Sequence, residues 1–505
     1  MSRTIPKRSM GGCLTCKRRK KKCDERRPYC SRCERGDFHC LGYDLHGTSG
    51  IGGSCYATNS ELIRWPSHTT VTLGSESLSP ESLDALIPFP GYENEVERSP
   101  VTHILFQEIN NSLSSVPNAI KLDPVVLEDA TSWIVSYYVK FSQEALFKLP
   151  SSSVESGLLW RISDSEITRW SMYLGARVAK DVSSGNNGQK YLGWIFRFYQ
   201  QILETSPTQL NSGLESRLGG LLDLVHLVCM ISGTTTGYAL FKRCAPVFLQ
   251  LAALTPTLWS NNFTISILEA IQSPRYEVMQ FVIGDTIIAL SLGTPPLFHY
   301  NTTPSWIDEA PSHFQLMYGF PIGVLLLLAK INAWRTLRLA GQVEESQGNW
   351  DDWEQHLNNW NPTIDHTDGP NNNIARFTVQ EAWRQSAIIY LHMGMREVNS
   401  ADPRVETAVQ QIVQLAGIFK MGSRLESHLL IPYFIAGVAA RQEKHRAALR
   451  GKLSSGLIRR VNAFLLSGSD FVATLDHLWH GAGSEGRPIT WEDYVQSRCI
   501  ILPVV

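Results

Sequence analysis

The chain has 505 residues, of which 43% are hydrophobic and 18% charged, with a formal net charge of −1 at pH 7. That is enough apolar material for one or two large cores. No apolar run reaches the roughly 18–20 residues of a membrane span. The nearest, Phe314 to Ala329, is broken by Gly319, Pro321 and Gly323, and a buried helix starting near Pro321 is expected there.

In chain order, the first feature is Cys13 to Cys40. Six of the 10 cysteines fall in these 28 residues, spaced C-x2-C-x6-C-x6-C-x2-C-x6-C, two near-copies of one half-pattern. A disulfide framework or a metal site would explain such crowding. Met1 to Gly12 holds Arg3, Lys7 and Arg8 and no apolar run. No secretory signal is therefore expected, and a reducing compartment favours metal. A CxxC brings two thiolates to one metal, and tetrahedral zinc takes four sulfurs at about 2.3 Å. Six sulfurs serve two zinc ions if two of them bridge. RING and LIM modules need eight ligands, and a classical finger needs an H-x3-5-H pair that is missing here. The segment has almost no apolar core, so metal binding should also be its folding energy.

This spacing, with the run Lys17-Arg18-Arg19-Lys20-Lys21-Lys22 and Pro28, resembles the fungal Zn2Cys6 binuclear cluster of transcription regulators. The resemblance implies two zinc ions held by Cys13, Cys16, Cys23, Cys30, Cys33 and Cys40. Cys13 and Cys30 would bridge, Cys16 and Cys23 would complete one ion, and Cys33 and Cys40 the other. It also implies double-stranded DNA as partner and the nucleus as location. In the family the third and fourth residues after the second cysteine read a CGG triplet, and here these are Arg19 and Lys20. Arginine departs from the lysine often found at the first of them. Lys17 and Lys22 match phosphate-contact positions, and Arg18 lies in the same run. His39, beside Cys40, reads as a solvated loop histidine.

Charge agrees with that resemblance. Residues 1–46 carry 13 Lys and Arg against five Asp and Glu, a formal +8, so the rest of the chain carries −9. Positive charge concentrated at one end is the footprint of a nucleic-acid contact. Held between Cys16 and Cys23, the run could present Arg or Lys to guanine O6 and N7 in a major groove. Alone, six cations would suit a nuclear-import signal or an anion patch; the cysteine frame favours DNA.

Residues 47–100 read as a disordered, flexible linker, interrupted by Gly50, Gly52, Gly53, Pro66, Pro80, Pro88 and Pro90. Trp65 to Glu97 has six acids and no Lys or Arg, interleaved with Leu78, Leu83, Leu86, Ile87 and Phe89. A solvated linker and an acidic activation segment both fit. No sustained heptad follows the cluster, so a homodimer has no coiled coil to support it.

From residue 101 to 505 the period is helical, and a large all-α regulatory domain is expected. Asp123-Pro124 and Asp402-Pro403 each offer an N-cap and a first-turn proline. The second is followed by Val405, Ala408, Val409, Ile412, Leu415, Ala416 and Phe419 on one face. Further apolar helices are expected around 218–230, 278–292 and 383–395. The marks Arg275, Asp285, Gly293-Thr294-Pro295-Pro296, Tyr390-Leu391-His392, Pro432 to Gly437, Trp479 and Trp491 resemble the fungal-specific transcription factor domain of the second type. That resemblance implies a regulatory region that senses metabolites or contacts transcription machinery or co-regulators.

No G-x-S-x-G, P-loop, HExxH or strand-borne G-x-G-x-x-G is present, so no enzyme is expected. His477 and His480 form an HxxH without a completing carboxylate. Asp285, in an apolar helix, reads as a buried hydrogen-bonded carboxylate or, more sharply, as a ligand contact. Cys229, Cys244 and Cys499 read as inert core thiols. A sequence-specific DNA-binding regulator of RNA polymerase II genes is the expectation. A zinc-dependent interaction module and a helical enzyme with a DNA-binding head are the alternatives.

Overall fold

A helix that is apolar on every face cannot lie on a surface. Tyr276–Leu292 is such a helix: Val278, Met279, Phe281, Val282 and all of 283–292 are buried. It forms the middle of the helical region. The structure, a computed structural model, describes residues 11–13, 16, 21–26, 30–35, 63–64, 121–122 and most of 127–504. Outside the description lie 149–153, 187, 205–211, 261–262, 303–312, 342–349, 363–369, 420–423 and 456–463 within that last span.

Before the central helix come Leu127–Ala145, Val154–Asp164, Glu166–Ser183, Leu192–Glu204, Ser212–Ser232, Thr234–Arg243 and Ala245–Ala253. Ser212–Ser232 packs against Glu166–Ser183, Leu192–Glu204, Thr234–Arg243 and the central helix. After it come Ile322–Leu339, Trp350–Asn359, Pro370–Tyr390, Pro403–Ala416, Leu430–Ala439, Glu443–Leu453, Gly468–His480 and Trp491–Ile501. Pro370–Tyr390 packs against Pro403–Ala416 and Leu430–Ala439. Ile322–Leu339 starts directly after Pro321, as expected, and touches both the central helix and Pro370–Tyr390. One apolar core therefore runs through the whole region. Aromatic rings build its densest part. Phe248 and Phe281 stack at 4.2 Å between centroids, Phe241 and Phe281 at 4.8 Å, and Phe320 and Trp383 at 4.0 Å.

Local sequence sets the helix ends. Asp402 accepts a bond from the Arg404 N–H at 2.9 Å, with Pro403 in the first turn, so this cap forms as read. Its partner cap Asp123-Pro124 lies outside the described residues. The central helix ends at Gly293, whose φ of 64° is left-handed, and the Thr294 N–H returns to the Ala289 carbonyl at 3.2 Å. A Cβ on Gly293 would also sit 2.5 Å from Val495. The 383–395 stretch is helical only to Tyr390. From Leu391 to Met395 the turn widens to π geometry, and the Arg396 N–H reaches back five residues to the Leu391 carbonyl.

Two small departures from all-α appear. Ile265–Ser266 pairs in parallel with Tyr300–Asn301, and Ile63–Arg64, inside the expected linker, pairs antiparallel with Lys121–Leu122. The rest of 47–100 lies outside the described residues. Cys229 and Cys244 are buried, but Cys499 is exposed. Its apolar neighbours Ile500 and Ile501 are exposed too, so apolar sequence around it did not signal burial. Among the described residues, no helix is long and apolar enough to cross a membrane.

Candidate metal centre and nucleic-acid interface

Cys13, Cys16, Cys23, Cys30 and Cys33 form a buried cluster made, among the described residues, of cysteines alone. The Sγ atoms of Cys13, Cys16, Cys23 and Cys30 all lie within 4.8 Å of one another. Sulfur–sulfur separations are 3.5 Å for Cys13–Cys30, 3.6 Å for Cys16–Cys30, 3.7 Å for Cys13–Cys33 and 3.8 Å for Cys16–Cys33. A covalent disulfide needs about 2.05 Å. Sulfurs at 2.3 Å from one tetrahedral zinc stand about 3.8 Å apart. The spacing therefore fits a metal–thiolate site and excludes disulfides among these five.

Backbone donors also converge on sulfur. The Cys16 N–H donates to Cys13 Sγ and the Cys33 N–H to Cys30 Sγ, each at 3.3 Å. These two bonds occupy equivalent places in the two half-patterns. Cys23 Sγ accepts from the N–H groups of Cys13 and Glu25, again at 3.3 Å. Such donors favour the thiolate form. Burial pushes the Cys30 thiol up to about 12 against the lowering bonds from Cys33 and Cys13, so a cation must offset the desolvation before that sulfur ionises near neutral pH.

Polar residues tie the halves together. Asp24 Oδ2 accepts the Ser31 N–H at 3.1 Å, at the start of the helix Ser31–Arg35. Bonding from Ser31 holds the Asp24 carboxyl below its usual range. Glu25 takes a left-handed φ of 57°. The Asp24–Ser31 link was not read from the sequence. Its signal was available: a carboxylate directly after the third cysteine and a hydroxyl residue directly after the fourth.

Lys21 and Lys22 are exposed and end one residue before buried Cys23. The Lys21 N–H donates to the Cys16 carbonyl at 3.0 Å, which fixes the end of the basic run to the cysteine that precedes it. Lys17, Arg18, Arg19, Lys20, His39 and Cys40 lie outside the described residues.

The other candidates resolve as structural. Both Asp285 oxygens accept the Leu297 N–H, at 3.0 and 2.9 Å, and Oδ2 accepts the Tyr300 hydroxyl at 2.7 Å. The carboxylate thus pins the Pro295-Pro296 loop back on the central helix. Several sequence marks meet one another in the core. The Trp479 Nε1–H donates to the Gly437 carbonyl at 2.9 Å, and Trp491 packs on Tyr390 at 4.7 Å between centroids. His480 Nδ1 lies 2.6 Å from the Asp476 carbonyl of its own helix, and among the described residues the one group of three or more His, Cys, Asp or Glu placed to hold a metal is the cysteine cluster.

Two family models match the chain. Residues 11–46 match the fungal Zn(2)-Cys(6) binuclear cluster domain, which counts two zinc ions on six cysteines. Residues 181–502 match the fungal specific transcription factor domain. White-opaque regulator 2 of Candida albicans is 56% identical over 41 residues, 8% of this chain and 9% of its own length. Pestheic acid cluster transcriptional regulator 3 of Pestalotiopsis fici is 53% identical over 38 residues, 8% and 7% of the two chains. Sterol uptake control protein 2 of Candida albicans is 29% identical over 105 residues, 20% and 15%. The chain thus spans less than a sixth of each of these relatives. No solved structure matches. With the second of these domains covering well over half its length, and a binuclear zinc cluster ahead of it, the chain belongs to the family of the fungal specific transcription factor domain.

Proposed function

We propose that the protein is a sequence-specific DNA-binding transcription regulator of RNA polymerase II genes, acting in the nucleus and without catalysis. The observation that carries this is the position of the basic run, bounded by two cysteines of one sulfur cluster, with its last two lysines exposed beside it. In this reading residues 1–46 are the DNA-binding domain, 47–100 a linker and 101–505 a regulatory domain. Cys13, Cys16, Cys23, Cys30, Cys33 and Cys40 hold two zinc ions, with Cys13 and Cys30 shared. Bound zinc supplies the cross-links that a segment with a sulfur-only core lacks.

The chain's own residues do the rest. Arg19 and Lys20 donate to guanines of a CGG-type triplet, and the bidentate fork of Arg19 suits O6 and N7 of one base. Lys17, Arg18 and Lys22 contact phosphates and set the register. Most of the affinity is then salt-sensitive counterion release. The helical region decides when the bound protein acts and which co-regulators it meets.

The test is an anisotropy titration of the zinc-loaded protein. Its duplexes carry one CGG, two CGGs at varied spacing, or a scrambled triplet, each with and without chelator. A zinc-dependent preference for CGG is expected, and the spacing series reads monomer against dimer. Equal binding to every duplex would overturn the reading and leave an anion patch on an interaction module.

A further inference from the structure

Six helices of the helical region line a half-open cavity of about 270 Å³ that plays no part in the proposal above. Its walls come from Leu127–Ala145, Val154–Asp164, Glu166–Ser183, Ser212–Ser232, Tyr276–Leu292 and His313–Tyr318. A space of that size suits a small organic molecule and excludes a folded peptide.

The wall carries polar groups that the protein does not satisfy. Asp223 and His226 interrupt the otherwise apolar stretch 221–230. Buried polar groups are costly without partners. Asp223 Oδ2 accepts one side-chain bond, from Ser171 Oγ at 2.8 Å. His226, one turn further on, has no hydrogen-bond partner among the described residues, and burial lowers its pKa to about 4, so it stays neutral. Gln280 Oε1 is buried and also unpartnered.

The two charged side chains of the wall, Arg161 and Asp223, are not paired with each other. Arg161 is the cation of the wall, and it is already engaged: its Nη2 lies 3.3 Å from Glu277 Oε1, and its guanidinium lies over the Tyr276 ring at 5.6 Å. With the Arg161 guanidinium turned to Glu277, Asp223 has no ion-pair partner among the described residues, and burial holds its carboxyl above the usual range, an effect that a bound cation would reverse. The remaining wall is aromatic and apolar. Tyr137 and Phe141 stack at 6.3 Å, with Leu227, Met230 and Met317 also lining the space. Ring faces and a carboxylate together favour a cation with an apolar body.

We propose that this cavity binds a small monocationic amine with a flat apolar body, its ammonium donating to Asp223 and His226 and its body lying against Tyr137, Phe141 and Met230. Binding at this site does not depend on the DNA reading, and it is measured without DNA.

The experiment is calorimetric titration of the full chain at pH 7 with tryptamine, with tryptophol as the neutral isostere and with indole-3-acetate as the anion. Saturable tryptamine binding is expected, about tenfold or more tighter than tryptophol because the bond to Asp223 is charge-assisted, with indole-3-acetate weakest. Asp223→Asn keeps the shape and should erase the preference for amine over alcohol while tryptophol affinity holds. Met230→Trp should abolish binding of all three by filling the space. Circular dichroism checks that both variants fold. Equal affinity for tryptamine and tryptophol, undiminished amine preference in Asp223→Asn, or no saturable tryptamine binding at millimolar concentration each overturns the proposal.

Discussion

Asp285 is the carboxylate whose burial can be read most directly in solution. Burial pushes its pKa up to about 7, against the opposing bonds from the Leu297 N–H and the Tyr300 hydroxyl. In the unfolded chain the same group titrates near 3.8. Between those values the folded state holds more protons than the unfolded state. The group's contribution to stability is therefore complete below pH about 4 and is lost as pH rises through 7. For that shift the loss between pH 5 and pH 8 comes to about 2–3 kcal/mol. Asp285→Asn keeps the size and removes the titration. Urea unfolding followed by far-ultraviolet circular dichroism, for wild type and variant across pH 5 to 8, measures the difference. Other titrating groups cancel in that difference, which should fall by about 2–3 kcal/mol with rising pH. A difference that is flat across the range would refute the argument that burial dominates at Asp285.

Further outcomes are expected. Gly293→Ala should cost about 2–4 kcal/mol, combining a left-handed φ with the close approach of Val495, and a thermal melt reads it. Cys30→Ser should release both zinc ions from the N-terminal cluster, and unchanged metal stoichiometry by mass spectrometry would remove the bridging assignment. Lys22→Ala should weaken all DNA sequences alike and reduce the salt slope by about 1, whereas Arg19→Ala should cost about 1–3 kcal/mol and relax the triplet preference. Asp402→Ala should cost about 0.5–2 kcal/mol through loss of the bond to the Arg404 N–H.

Much of this was legible in the residues, for identifiable reasons. Thiolates that share a metal must be spaced to reach it, so the cysteine pattern announced the cluster before any coordinate did. Proline and aspartate announced the helix at Pro403–Ala416 because they act locally, through one fixed φ and one side-chain bond. The run 278–292 was readable as a buried helix because apolar side chains on every face leave no surface alternative. The sequence did not foretell the π turn at Leu391–Met395. It answers to packing by residues far away in the chain, such as Ile331 against Gly394. Nor did it foretell the cavity at Asp223 and His226, whose wall is assembled from six separate helices. Both residues stood out in an apolar stretch, and that was the available signal. Cys499 shows the reverse error, since two isoleucines beside a thiol meant a solvent-facing edge.

Among the described residues, the N-terminal cluster has only sulfur at its centre. An ordinary core is held by the cost of exposing apolar surface, which temperature and denaturant change but a cell scarcely does. A sulfur core is held by the chemical potential of the metal instead. Each tenfold fall in free zinc removes about 1.4 kcal/mol per bound ion from its folded state, and two ions double that dependence. The described core of the helical region is built from aliphatic and aromatic side chains and is of the ordinary kind. The two ends of one chain therefore answer to different variables, and the occupancy of the head can follow the metal supply of its surroundings while the rest of the protein stays folded.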